Sequence, residues 1–125
     1  MRVLITGASR GIGFEAAKLF AADGHEVLAI SRNEAKLSKL SAFGVRPFPF
    51  DLTNEDYSSL IGEVKSFGKI DILINNAGAL VNKSLSEISN EELLYIYKVN
   101  LFAPFRLVRD LLLHFSNRSH TINIS

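Results

Sequence analysis

Val3-Leu4-Ile5-Thr6-Gly7-Ala8-Ser9-Arg10-Gly11-Ile12-Gly13 opens the chain with a short apolar, β-branched run that passes straight into a turn holding three glycines. A run of this kind suits a strand buried on both faces. A turn dense in glycine lets the backbone bend sharply and approach an anion, toward which the free N–H groups of the following helix point. Gly13 also allows that helix to pack close to the strand. Gly11-Ile12-Gly13-Phe14-Glu15-Ala16 formally satisfies G-x-G-x-x-A, but the strand already ends at Thr6 and the turn begins at Gly7. Thr-Gly-x-x-x-Gly-x-Gly is the natural reading. A tight strand-to-helix turn with no ligand competes with it, and the surrounding alternation decides the weight given to each.

That alternation runs through the chain. Further strand-like runs are Val27-Leu28-Ala29-Ile30, Val45 to Phe50 (weakened by Pro47 and Pro49), Ile72-Leu73-Ile74 and Thr121-Ile122-Asn123-Ile124. Helical spacing links Ile12, Ala16, Leu19 and Phe20, with a stop at Gly24, and Leu37 with Leu40, with a stop near Gly44. It recurs at Leu60, Ile61, Val64 and Phe67, where Thr53 is the expected N-cap, acids fill the first turn and Gly68 is the stop. A fourth helix opens on the capping box Ser89-Asn90-Glu91-Glu92 and runs to near Phe115. Strands alternating with helices predict right-handed βαβ units in an α/β, doubly wound parallel sheet. On such a sheet the first turn is where dinucleotides bind.

Composition narrows the function classes. The 125 residues carry a net charge of +1, 47% hydrophobic residues and no cysteine, with a mean hydropathy of +0.16. One domain over residues 1–125 is expected. The absent cysteine excludes disulfides, thiolate-bound zinc, iron–sulfur clusters and a cysteine nucleophile. The near-neutral balance argues against nucleic acid or an anionic membrane as partner. No run is long enough for a membrane span or a signal-peptide core, so a cytoplasmic setting is expected. His25, His114 and His120 show no metal spacing.

The glycine turn strongly resembles that of the short-chain dehydrogenase/reductase family in its non-extended form. Four further pieces agree in order: Asp51-Leu52, Asn75-Asn76-Ala77-Gly78, Asn100-Leu101 and Ile122-Asn123-Ile124-Ser125. The resemblance implies a Rossmann-like sheet of five strands in order 3-2-1-4-5, with helices on both faces. It implies that Gly7, Ser9, Arg10, Gly11, Ile12 and Gly13 line the adenosine-side phosphates and pyrophosphate of a nicotinamide dinucleotide. Asp51 would bond the adenine amino group and Leu52 would offer its N–H to the ring; a capping role for Asp51 is compatible. Asn76, Ala77 and Gly78 would line the cofactor ribose, while Asn75 braces the sheet.

The second strand ends in Ser31-Arg32-Asn33 with no acid at Ser31 or Arg32. An acid there would accept from the adenosine 2′-OH and repel a 2′-phosphate, whereas Arg32 with Arg10 suits a phosphate. NADP(H) is therefore expected over NAD(H), against the plainer reading of Arg32 as a solvated cation. Asn100 stands in mid-helix among apolar neighbours, and Pro104 four residues on cannot donate to its carbonyl. The resemblance makes Asn100 catalytic: its main-chain carbonyl positions a water in a proton relay. A helix kink without chemistry is the competitor.

Family catalysis also needs a Ser, and a Tyr and Lys spaced Tyr-x-x-x-Lys. Four residues beyond Tyr57, Tyr95 and Tyr97 stand Ile61, Val99 and Leu101, and Ser125 matches the first, non-catalytic serine of the family's Asn-Ile-Ser-Ser. The expected function is the cofactor-binding portion of an NADP(H)-dependent oxidoreductase that interconverts a small carbonyl and its alcohol, inert by itself. A stand-alone dinucleotide-binding or interaction module is the alternative. A free edge on the fifth strand and apolar Phe102, Phe105 and Leu113 on the fourth helix predict a homo-oligomer.

Overall fold

The computed structural model describes residues 1–125 and places the five apolar runs in one parallel sheet, in the order β3-β2-β1-β4-β5. The strands are β1 (Arg2–Thr6), β2 (Glu26–Ser31), β3 (Arg46–Pro49), β4 (Ile70–Asn75) and β5 (Phe115–Asn123). The helices are α1 (Gly11–Ala22), α2 (Glu34–Ser38), α3 (Ser58–Phe67), α4 (Asn90–Tyr97) and α5 (Ala103–Asp110). β1 is central, pairing with β2 through Val3↔Val27 and with β4 through Val3↔Ile72. The expected fold class and strand order are thus observed.

Side chains alternate across β1, so each face of the sheet gets its own core. Leu4, Leu28 and Leu73 turn toward Leu60 and Val64 of α3 and Leu107 of α5. Val3, Ile5 and Val27 turn the other way, toward Ala17 of α1 and Leu37 of α2. α1 meets the sheet through Gly13 and Ala17, which are small enough for close approach. The larger Ile12 and Leu19 consequently fall on its outer side, 66% and 68% exposed, and do not form the buried stripe their spacing suggests.

Four local expectations change. α3 begins at Ser58 and not at Thr53, because the Thr53 N–H and hydroxyl both donate to Asp51 Oδ1, at 2.9 and 2.8 Å. The Thr53 hydroxyl accepts from no helix N–H; Asp56 Oδ1 instead accepts from the Ser58 N–H at 2.8 Å. The capping box is half formed: Ser89 Oγ accepts from the Glu92 N–H at 3.0 Å, while Glu92 Oε1 pairs with Lys83 Nζ at 2.6 Å. The fourth helix is interrupted by a π-helical turn, Lys98–Phe102, which leads into α5 with Pro104 in the first turn. β5 starts earlier than its apolar run, at Phe115 opposite Ile70, but the register jumps to His120 opposite Ile72, so the polar residues between them form an irregularity in the strand. No helix is long and apolar enough to cross a membrane.

Candidate functional site

The carboxyl ends of β1 to β4 converge where the chain leaves the central strand in both directions, the usual ligand crevice of such sheets. Thr6, fully buried at the end of β1, ties two of these ends together. Its Oγ1 accepts from the N–H groups of Asn76 at 3.1 Å and Ala77 at 3.0 Å, and Asn76 Nδ2 donates to the Gly7 carbonyl at 3.1 Å. Gly7, at φ +66°, passes so close that a Cβ would stand 2.7 Å from Ala77 Cα. Gly13 closes the same junction from α1: its Cβ would lie 2.5 Å from the Gly7 oxygen.

Gly11 is different. It has φ +60° and nothing within 4 Å of its Cβ position, so the turn faces open space there. Arg10, the N-cap of α1, makes no capping hydrogen bond, no acid sits in the first turn, and no protein group accepts from the N–H groups of Gly11, Ile12 or Gly13. A helix start left uncapped beside an opening suits an anion.

Beyond β2, Asn33 caps α2 by accepting from the Lys36 N–H at 2.9 Å, and its own N–H lies 3.4 Å from Ser31 Oγ. This leaves Arg32 projecting, with its guanidinium 5.6 Å from the centre of the Tyr95 ring. Arg10, Arg32 and Lys36 wall a polar pocket of about 420 Å³ with Ser9, Ser31 and Asn33. The pocket has no carboxylate, and none of the three cations takes part in an ion pair.

Beyond β3, Asp51 keeps one carboxylate oxygen uncommitted, since both bonds from Thr53 go to Oδ1. The Tyr57 hydroxyl donates to the Leu52 carbonyl at 2.6 Å. Burial raises the Tyr57 pKa above the ordinary phenol value, so the hydroxyl stays a donor at neutral pH. Arg106 of α5 completes the brace, reaching the carbonyls of Asn54 at 2.7 Å and Glu55 at 2.6 Å and lying 3.7 Å over the Tyr57 ring.

Most of the expected site residues border one cavity of about 320 Å³. Gly7, Ser9, Arg10 and Gly11 enter it from the first turn, and Ser31 and Arg32 from the second. Asp51 and Leu52 enter from the third, and Asn76, Ala77 and Gly78 from the fourth. Three expected residues stand apart: Ile12 faces outward, Gly13 lies behind the turn, and Asn33 belongs to the polar pocket. Asn75 is buried, its Nδ2 donating to Asn123 Oδ1 of β5 at 2.9 Å, which is a brace within the sheet.

Asn100 lies in the π-helical turn and borders a neighbouring open cavity of about 1170 Å³. Its side chain accepts from the Ala79 N–H at 2.7 Å and donates to the Ala79 carbonyl at 2.8 Å. This peptide-like pair explains how a polar residue is kept in mid-helix. The Ala103 N–H reaches back five residues to the Lys98 carbonyl, a widened turn into which the Pro104 ring fits.

Sequence reasoning missed Phe50, Tyr95 and Val99 in the cavity wall, and Lys36 in the polar pocket. Lys36 has a readable signal, four residues from Arg32 at a helix start. Tyr95 has none, because only the packing of α4 across the crevice brings it there. The glycine turn, the uncapped helix and the carboxylate-free cationic pocket together fit a dinucleotide bearing phosphates.

A family profile described as short chain dehydrogenase matches residues 1–125. An uncharacterized short-chain type dehydrogenase/reductase of Sinorhizobium fredii is 40% identical over 113 residues, which is 87% of this chain and 44% of that protein. A ketoacyl reductase of a Nostoc species is 36% identical over 118 residues, 88% of this chain and 41% of the relative. The crystal structure of a short-chain dehydrogenase from Streptomyces avermitilis superposes with a TM-score of 0.88 at 30% identity, covering 99% of this chain and 48% of that one. The chain therefore spans less than half the length of these relatives.

Proposed function

The chain belongs to the short-chain dehydrogenase family, and from that membership we propose that it is the cofactor-binding portion of an oxidoreductase that uses NADP(H) in preference to NAD(H). The observation that carries the preference is the pocket walled by Arg10, Arg32 and Lys36, which contains no carboxylate. An acid at the end of β2 would repel a 2′-phosphate; three unpaired cations attract one.

When bound, a nicotinamide dinucleotide supplies a hydride to a carbonyl or takes one from an alcohol. The residues of this chain hold and orient it. The N–H groups of Gly11 to Gly13 face the pyrophosphate, and Arg10 and Arg32 clasp the 2′-phosphate. The free oxygen of Asp51 takes the adenine amino group. Asn76, Ala77 and Gly78 line the ribose, where small residues let the backbone pass close. Asn100 commits its side chain to Ala79, so its part in a proton relay falls to its main-chain carbonyl. No tyrosine here has a lysine four residues on, so these residues furnish no activated proton donor. Cytoplasmic residence and self-association through the fourth helix or fifth strand complete the reading.

Calorimetric titration with NADPH and NADH tests it. NADPH is expected to bind roughly tenfold tighter or better; equal or tighter NADH binding overturns the preference. Mixed with NADPH and a panel of aldehydes and ketones, the 125 residues are expected to give no carbonyl-dependent NADPH oxidation. Steady turnover would refute their inertness.

A further inference from the structure

Arg32 borders both the 320 Å³ cavity, with Asp51 and Leu52, and the polar pocket, with Arg10 and Lys36. It stands at the partition between them together with Ser9, Arg10 and Ser31, which border both as well. A long side chain on an exposed loop, free of any carboxylate, would ordinarily sample many rotamers and lose that freedom on capturing a ligand. Here the ring of Tyr95 reaches across from α4 and lies 5.6 Å from the guanidinium, within the range of a cation–π contact. A cation–π contact consumes no N–H donor, and no protein group accepts from the Arg32 guanidinium, so its donors stay available.

We propose that Tyr95 is a positioning residue: it holds Arg32 at the partition in advance of the ligand and thereby sets the preference for a dinucleotide carrying a 2′-phosphate. The proposal rests on the NADP(H) reading and goes beyond it, since Tyr95 acts through Arg32 and need not touch the phosphate. The π-face does the work, so the hydroxyl is dispensable.

The test measures the dissociation constants of NADPH and NADH for the wild type, Tyr95→Leu, Tyr95→Phe, Arg32→Ala and the Tyr95→Leu/Arg32→Ala double variant. Tyr95→Leu is expected to weaken NADPH roughly three- to fivefold more than NADH, and Tyr95→Phe to keep the wild-type ratio. In the Arg32→Ala background, Tyr95→Leu should add nothing to the loss of NADPH affinity. Tyr95→Gln, a helix former without a ring, repeats the comparison should the leucine variant fail to fold. An unchanged NADPH-to-NADH ratio in both ring-less variants overturns the proposal. So does an equal weakening of both cofactors, which would make Tyr95 a contact for the shared adenosine. A wild type without NADPH preference instead overturns the NADP(H) reading itself.

Discussion

Gly11 and Gly13 stand two positions apart and are glycine for opposite reasons. Gly13 has an ordinary helical backbone but no room: a Cβ would lie 2.5 Å from the Gly7 oxygen and closer still to Asn76 Nδ2. Gly11 has room but a left-handed backbone, at φ +60°. Gly13→Ala must therefore push α1 off the junction of β1 and β4 and strain the Asn76–Gly7 hydrogen bond, at a cost of about 2–3 kcal/mol. Gly11→Ala costs about 1–2 kcal/mol from its backbone alone and places a methyl in the open space proposed for the pyrophosphate. Urea denaturation should show the larger stability loss for Gly13→Ala. NADPH titration of folded Gly11→Ala should show affinity reduced by roughly tenfold or more. The reverse order of stabilities would mean that the junction is looser than these distances imply. Both glycines were legible in the motif, and so was the close packing at Gly13, but not that its neighbours are Gly7 and Asn76. Thr6 makes the point more sharply: its two hydrogen bonds go to Asn76 and Ala77, and no local pattern encodes a partner that far along the chain.

α5 shapes the turn between β3 and α3 through Arg106. In a helix starting at Thr53, the carbonyls of Asn54 and Glu55 would accept from N–H groups four residues on. Here Arg106 takes both, Asp51 takes Thr53, and the turn stays open until Ser58. The Thr53 cap was a sound local reading that one long-range partner, Arg106, and the neighbouring Asp51 override. The π-helical turn was equally hidden, because an inserted residue leaves the apolar spacing on either side intact; only Pro104 marked the place. Removing the fork should free the wall that carries Asp51 and Leu52. Arg106→Met is expected to cost about 1–2 kcal/mol of stability in thermal or urea unfolding and to weaken binding of adenosine, the part of the cofactor proposed to meet Asp51 and Leu52. Arg106→Lys keeps the charge but cannot span two carbonyls, so it should recover less than half of the loss. Full recovery by lysine would show that charge, not the two-pronged geometry, holds the turn.

For the molecule as a whole, the doubly wound parallel class was readable because each strand and each connection carried its own signal, while the order β3-β2-β1-β4-β5 followed from the family resemblance. What the alternation could not reveal is which apolar residues stay outside. Val99, Ala103, Leu107 and Leu111, each four residues from the next, turn inward, and Leu101, Phe102, Phe105, Leu112 and Leu113 are left facing out. Phe105 is 63% exposed and Leu113 83%, and exposed apolar side chains gathered on one segment are of the kind that marks an interaction face. The free edge of β5 is the other candidate, but it carries Asn117, Arg118, Ser119 and His120, and polar and charged side chains on an edge oppose strand pairing. The helical face should therefore dominate self-association. Light scattering at tens of micromolar is expected to give at least a dimer for the wild type. Phe105→Glu, which sets a charge at the centre of that face, should shift it to monomer without unfolding it, because the side chain lies outside both cores. Ser119→Lys, on the strand edge, should leave the mass unchanged. Dissociation by Ser119→Lys but not by Phe105→Glu would move the contact to β5, and a monomeric wild type would remove it altogether.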